Sequence, residues 1–275
     1  MAPRLRRILP AAAALLGAAL LIGSLHALSR SMIYPGGRVA LPSEPELARR
    51  FPAARLLRYQ TADGLALAGA LFQQAGPADP PRPVLVHFHG NGESAAQNLP
   101  FAAGLFERGL DVFLPEYRGY GGMPGRPTED GLYADGEAAL DALLAAGVAP
   151  ERIVLLGRSL GSGVAAEMAL RRPVGRLILV SPFTSMTDMG RLIAGPLARF
   201  AVPDRYDTLA KLPRLRLPVV IVHGTRDQVV PVRMGRALAA ALPGARYIEI
   251  PEADHNLIPG LEEILVREAL AAPGT

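Results

Sequence analysis

The chain has 275 residues, no cysteine, and 29 basic against 25 acidic residues. That length suits one large α/β domain with a full core, and the lack of cysteine excludes disulfides, thiolate-ligated zinc and a thiol nucleophile. The excess positive charge lies in Arg4, Arg6, Arg7 and Arg30, leaving 25 basic and 25 acidic residues after position 30, a balance that argues against a nucleic-acid surface.

Between Arg7 and Arg30 runs ILPAAAALLGAALLIGSLHALS, 22 residues without a formal charge. As a helix it would reach roughly 33 Å, enough to cross a bilayer core. Residues 1–30 are therefore expected to be a membrane anchor. The basic residues ahead of it predict a cytoplasmic N-terminus and place everything after Arg30 outside the cytoplasm. A cleaved signal sequence and a helix buried in the domain are the alternatives; Ser24-Leu25-His26-Ala27 is a poor cleavage site because Leu25 stands where a small residue is wanted. Residues 31–54, with Pro35, Gly36, Gly37, Pro42, Pro45 and Pro52, read as an irregular tether leading into a main domain over 55–275.

From Arg55 the pattern alternates. RLLRYQT and LALAGALFQQ flank Ala62-Asp63-Gly64 as a hairpin, a proline-rich loop spans Gly76 to Pro83, and PVLVHFHG is a short apolar strand entering a glycine turn. Next come a helix near 94–108, strand DVFLPEY, a helix near 129–146, strand RIVLLG, a helix near 160–172 and strand GRLILVS. Residues 183–217 are less regular. They precede strand PVVIVHG, a helix near 232–242, strand ARYIEI and a final helix near 257–271. Continuous apolar strands alternating with helices predict an α/β fold: a mostly parallel sheet, helices on both faces, and an antiparallel N-terminal hairpin. Ligands of such sheets bind beyond the carboxyl ends of the strands, so the residues there are the ones to weigh.

Gly157-Arg158-Ser159-Leu160-Gly161 has the pattern G-x-S-x-G. In a chain with 29 glycines the pattern alone is weak, but it falls between a strand and a helix, where a nucleophile elbow requires it. Ser162 lacks the flanking glycines and reads as a small residue that lets helix and strand approach. A serine needs a base. Of the five histidines, His26 lies in the apolar segment, His87 inside a strand, and His89 and His223 before glycines at strand ends. His255 alone occupies the loop after the last strand. Asp227, after the penultimate strand, is the candidate acid; Asp254 adjoins the histidine too closely, and Asp188, Asp204 and Asp207 sit in the irregular region. Ser, Asp, His is the chain order such a triad needs. The oxyanion donors are expected to be the backbone N–H groups of Leu160, at a helix N-terminus, and Asn91, in the turn His89-Gly90-Asn91-Gly92.

These motifs together resemble the α/β-hydrolase superfamily over residues 55 to the end. HFHGNGES, EYRGYGGMPGRPTEDGLYAD, LLGRSLGSGVAAEMA, VHGTRDQVVP and ADHN are similar to the successive signatures of its membrane-anchored abhydrolase branch, as is Tyr34-Pro35, more loosely, in SMIYPGG. The branch contains serine esterases and thioesterases, some of them protein depalmitoylases, and often carries a serine-peptidase-like label. The resemblance implies Ser159 as nucleophile, Asp227 as acid, His255 as base and the N–H groups of Asn91 and Leu160 as the oxyanion hole. It implies no metal and no cofactor, and a small-molecule or lipid-like acyl ester or thioester as substrate. A serine peptidase or amidase of the same fold and a non-catalytic binding protein are the rival readings. Arg118 and Tyr120 either line the entrance or orient the glycine loop. Arg158 either contacts substrate or ties down a neighbouring loop. Residues 183–217, with Met186, Met189, Leu192, Ile193, Leu197 and Phe200, are either a short cap forming an apolar acyl pocket or ordinary helix packing.

Overall fold

The computed structural model describes residues 3–76 and 81–271, with residues 3–15 by backbone alone. The side chains of Arg4, Arg6 and Arg7, and residues 77–80 of the expected proline-rich loop, lie outside the described residues. Eight strands form one sheet: β1 (Ala54–Gln60), β2 (Ala66–Phe72), β3 (Val84–Phe88), β4 (Asp111–Pro115), β5 (Ile153–Arg158), β6 (Arg176–Val180), β7 (Val219–Gly224) and β8 (Arg246–Ile250), in the order β1-β2-β4-β3-β5-β6-β7-β8. β1 and β2 form the expected hairpin, β2 also runs antiparallel to β4, and all remaining pairs are parallel.

Ten helices accompany the sheet among the described residues: α1 (Pro3–Ile33), α2 (Glu44–Arg50), α3 (Leu99–Glu107), α4 (Glu129–Ala145), α5 (Leu160–Arg171), α6 (Met186–Ala194), α7 (Ala198–Ala201), α8 (Thr208–Lys211), α9 (Val232–Ala241) and α10 (Leu261–Leu270). Because successive strand residues point to opposite faces, the central strands build two cores. Val86, Leu155 and Leu179 face α4 and α5 on one side, while Leu85, Leu156 and Ile178 face α3 and α10 on the other. Strands buried on both faces explain the unbroken apolar runs in the sequence.

Three expectations are adjusted. The final helix begins at Leu261, not near 257, because Pro259 disfavours helix before it and Gly260 is left-handed at φ 70°. The segment 31–54 contains α2 and is packed down rather than irregular throughout: Ile33, Tyr34 and Leu47 are buried. Residues 183–217 hold α6, α7 and α8, with 3-10 turns after α6 and α8.

Charged side chains buried behind the strand ends hold the glycine-rich loops there. His89, after β3, meets Glu116, after β4, with Nε2 2.8 Å from Oε1, and its Nδ1 lies 2.8 Å from the Gly90 carbonyl oxygen. The other Glu116 oxygen accepts from the Ala95 N–H at 2.9 Å. With a carbonyl facing one ring nitrogen and a carboxylate the other, the surroundings favour a ring that donates from both. Burial works against the charge of such a ring, but the hydrogen bond and charge of Glu116 and the Gly90 carbonyl outweigh it and raise the His89 pKa. Arg118 in the next loop bonds Asp135 on α4, Nε to Oδ1 at 2.8 Å, and Asp63 in the hairpin turn, Nη1 to Oδ2 at 2.7 Å. Tyr120 is wholly buried. Arg118 thus ties the loop to α4 and the hairpin turn, and Tyr120 packs against His89 and Tyr117 beneath it.

Two measurements follow from this packing. Leu47→Ala should lower unfolding stability by about 2–5 kcal/mol in urea titration, since Leu47 is fully buried; a loose tether would lose nothing. The raised His89 pKa places its stabilising contribution below the ordinary histidine value of about 6.5, to be lost as pH rises through the folded value. Glu116→Gln should therefore be less stable by about 3–5 kcal/mol and lack that alkaline decline, read from denaturation at successive pH values.

Candidate active site

The turn joining β5 to α5 begins with a left-handed residue that is not glycine: Ser159 has φ 51° and ψ −119°. Non-glycine residues pay for this conformation, and it persists where the surroundings over-determine it. Here α5 lies directly against the sheet. A Cβ on Gly157 would stand 2.7 Å from the Ser162 Cα and 2.7 Å from the Ala165 Cβ, and one on Gly161 would strike the Phe88 carbonyl and stand 2.8 Å from that of His89. The two glycines let the helix close on β3 and β5, and the chain between them is forced through the sharp turn. The Ser159 N–H donates to the Val180 carbonyl at 3.0 Å, and its side chain stands on the partly exposed side of the turn. Ser162 is fully buried, and its hydroxyl donates to the Ser159 carbonyl at 2.6 Å.

Asp227 follows β7 in a turn shaped around its own carboxylate. Oδ1 accepts from the N–H groups of Val229 at 2.9 Å and Val230 at 2.8 Å. Oδ2 lies 2.8 Å from His255 Nδ1, in the loop after β8. Burial disfavours the Asp227 charge, yet bonds from His223, His255 and the Val230 N–H hold its carboxyl well below the usual carboxylate range. An ionised carboxylate only accepts, so His255 Nδ1 carries a proton, and Nε2 is the ring's acceptor in the neutral tautomer. His223 braces the loop from below, with Nε2 2.8 Å from the Val230 carbonyl and 3.4 Å from Asp227 Oδ2. A Cβ on Gly235 of α9 would collide with the His223 ring.

The turn after β3 completes the edge. A Cβ on Gly90 would lie 3.8 Å from the Ser159 Cβ, so this turn runs beside the serine. Asn91 follows it, and its side-chain amide donates to the Ile33 carbonyl at the end of α1 at 3.1 Å. The Leu160 N–H opens α5 at the first helical position, where no intrahelical acceptor exists. Arg158 acts as a tie: Nη1 bonds Glu93 Oε1 at 3.0 Å and Nη2 the His255 carbonyl at 3.1 Å, joining the loops after β3 and β8.

The other candidates are engaged elsewhere. Asp254 caps the N–H groups of Asn256 and Leu257, Asp188 bonds Thr184, Ser185 and Arg191, Asp204 pairs with Arg30, and Asp207 caps Ala210. His26 bonds the Phe200 carbonyl, and burial against Phe101 accompanies a His87 pKa pushed down to about 3. Sequence reasoning passed over Glu93, Glu116 and the bracing role of His223. No spacing rule pairs Glu93 with Arg158 or Glu116 with His89, because those contacts run between separate loops.

Residues 79–204 match the family model described as serine aminopeptidase, S33, and residues 191–259 match that of the alpha/beta hydrolase fold. An uncharacterised protein of Mycobacterium tuberculosis is 37% identical over 231 residues, covering 82% of this chain and 80% of that protein. Alpha/beta hydrolase domain-containing protein 17C of Xenopus laevis is 34% identical over 212 residues, 76% of this chain and 66% of its own length. An esterase of Pyrococcus furiosus shares the fold with a TM-score of 0.66 at 17% identity over 86% of this chain and 96% of its own. An acetyl xylan esterase of Paenibacillus does so with a TM-score of 0.64 at 19% identity, over 91% and 92%. The sheet order, the family matches and these relatives agree: the chain belongs to the α/β-hydrolase superfamily, as a serine hydrolase.

Proposed function

We propose that Ser159 is the nucleophile, His255 its base, Asp227 the acid that orients the base, and the N–H groups of Asn91 and Leu160 the oxyanion hole of an enzyme that hydrolyses acyl esters or thioesters. The observation that carries this reading is the 2.8 Å bond between Asp227 and His255 Nδ1, which leaves Nε2 free at the same sheet edge as the left-handed serine. Nε2 takes the Ser159 hydroxyl proton as Oγ bonds the acyl carbon. The resulting oxyanion lies between the N–H groups of Asn91 and Leu160, each worth about 2.7–4 kcal/mol in such sites. Collapse breaks the bond to the leaving oxygen or sulfur, which takes the proton from His255. Water then repeats the sequence and frees the acid.

The same reading places the enzyme at a membrane. Residues Leu16–Ile33 of α1 are long and apolar enough to cross one, and only 6% of that stretch is buried in the protein. With Arg4, Arg6 and Arg7 ahead of the apolar stretch, the N-terminus is cytoplasmic and the catalytic domain lies outside the cytoplasm.

Ser159→Ala should abolish labelling by a fluorophosphonate probe and lower ester turnover by about a millionfold. Ser162→Ala should keep labelling and lose about 1 kcal/mol of stability from one hydrogen bond; the reverse pattern would make Ser162 the nucleophile. For topology, protease added outside an intact membrane should degrade the catalytic domain. Protection until the membrane is breached would overturn the assignment.

A further inference from the structure

We infer that α1 is one wall of the acyl-binding site, so that the substrate's fatty chain lies in a groove between the N-terminal helix and α6–α7, open to the lipid side. This rests on the acyl-transfer reading above and adds to it the chain class and the residues that measure it.

A cavity of about 320 Å3 separates these elements. Its lining is mainly apolar, with Leu25, Leu28 and Met32 from α1 facing Met189, Ile193 and Val202 across it. Asn91 also lines it. That residue adjoins Gly90, on which a Cβ would lie 3.8 Å from the Ser159 Cβ, so the cavity begins one residue from the turn beside the serine. Of the six residues expected to form an acyl pocket, Met186, Met189 and Ile193 line the cavity, while Leu192, Leu197 and Phe200 stand exposed beside it.

The wall formed by α1 is held in place by polar bonds. Arg30 pairs with Asp204 at 2.7 Å, His26 Nε2 lies 3.0 Å from the Phe200 carbonyl, and the Tyr34 and Tyr206 hydroxyls are 3.0 Å apart. With the Asn91 bond to the Ile33 carbonyl, four contacts lock the last turns of α1 to the domain. A mere tether has no need of them. The helix then continues outward with Leu16, Leu20 and Leu21 exposed, and Leu28 and Ile193 at the groove's lip are 59% and 75% exposed. Exposed apolar surface of this extent marks a membrane or ligand contact. Its continuity with the apolar helix selects a substrate whose chain resides in lipid, a fatty ester or thioester. If a methylene is about the size of a water, roughly 30 Å3, the groove holds a chain of about ten carbons.

Full-length enzyme in detergent, assayed with p-nitrophenyl acetate and p-nitrophenyl decanoate, tests this. Leu28→Trp and, from the opposite wall, Ile193→Trp should each lower the decanoate-to-acetate ratio of kcat/KM by about tenfold or more, since each methylene excluded forfeits roughly a fourfold factor. Leu20→Trp, on the same helix but outside the groove, should leave the ratio unchanged. If both groove variants keep the wild-type ratio, or Leu20→Trp shifts it equally, the groove does not hold the reacting chain. That outcome also covers a non-reacting lipid tail in the groove. Failure of the wild type to cleave either ester would instead sink the esterase reading itself.

Discussion

The close seating of α5 on the sheet is the constraint from which the site grows. Gly157 and Gly161 let the helix backbone approach β3 and β5 to distances no side chain would permit, and Ser159 between them takes the left-handed conformation. That packing lifts the serine above the sheet edge and starts a helix whose first N–H groups are unpaired. Because β3, β5, β7 and β8 are parallel, the loops that follow them emerge at that same edge. Asn91, Ser159, Asp227 and His255 are brought near one another by topology before any direct contact forms.

The loops at this edge are rich in glycine, and their freedom must be restrained. Three sets of charged contacts do this: His89 with Glu116, Arg118 with Asp63 and Asp135, and Arg158 with Glu93 and the His255 carbonyl. Taking such groups out of water consumes much of their mutual attraction, so buried pairs add little net stability. Their effect is geometric. Removing one partner leaves an unpaired charge, so alternative loop positions are strongly disfavoured. Arg158 ties the loop of Glu93, after β3, to the loop of His255, after β8.

The N-terminal helix is joined to the same arrangement. Its carbonyl at Ile33 receives the Asn91 amide, and Arg30 reaches Asp204, which also accepts from the Glu129 N–H at the start of α4. Movement of α1 is therefore coupled to the turn that carries a proposed oxyanion donor. An apolar helix docked this way fixes the orientation of the catalytic edge relative to any membrane the helix enters.

Much of this was legible in the sequence. Period and apolar runs gave the order of strands and helices, because a strand buried on both faces must be apolar throughout. G-x-S-x-G between strand and helix, with Asp227 and His255 after later strands, singled out three residues, because the reaction demands those side chains in that chain order. The sequence could not separate the roles of Arg158, Arg118 and Tyr120. It also made the segment 31–54 a loose connection, since prolines and glycines mark irregular backbone but say nothing of docking. Tertiary structure alone decided that Leu47 is buried, that Glu116 faces His89, and that α1 and α6–α7 enclose a cavity. Those contacts join residues far apart in the chain, and local pattern carries no record of which distant surfaces meet.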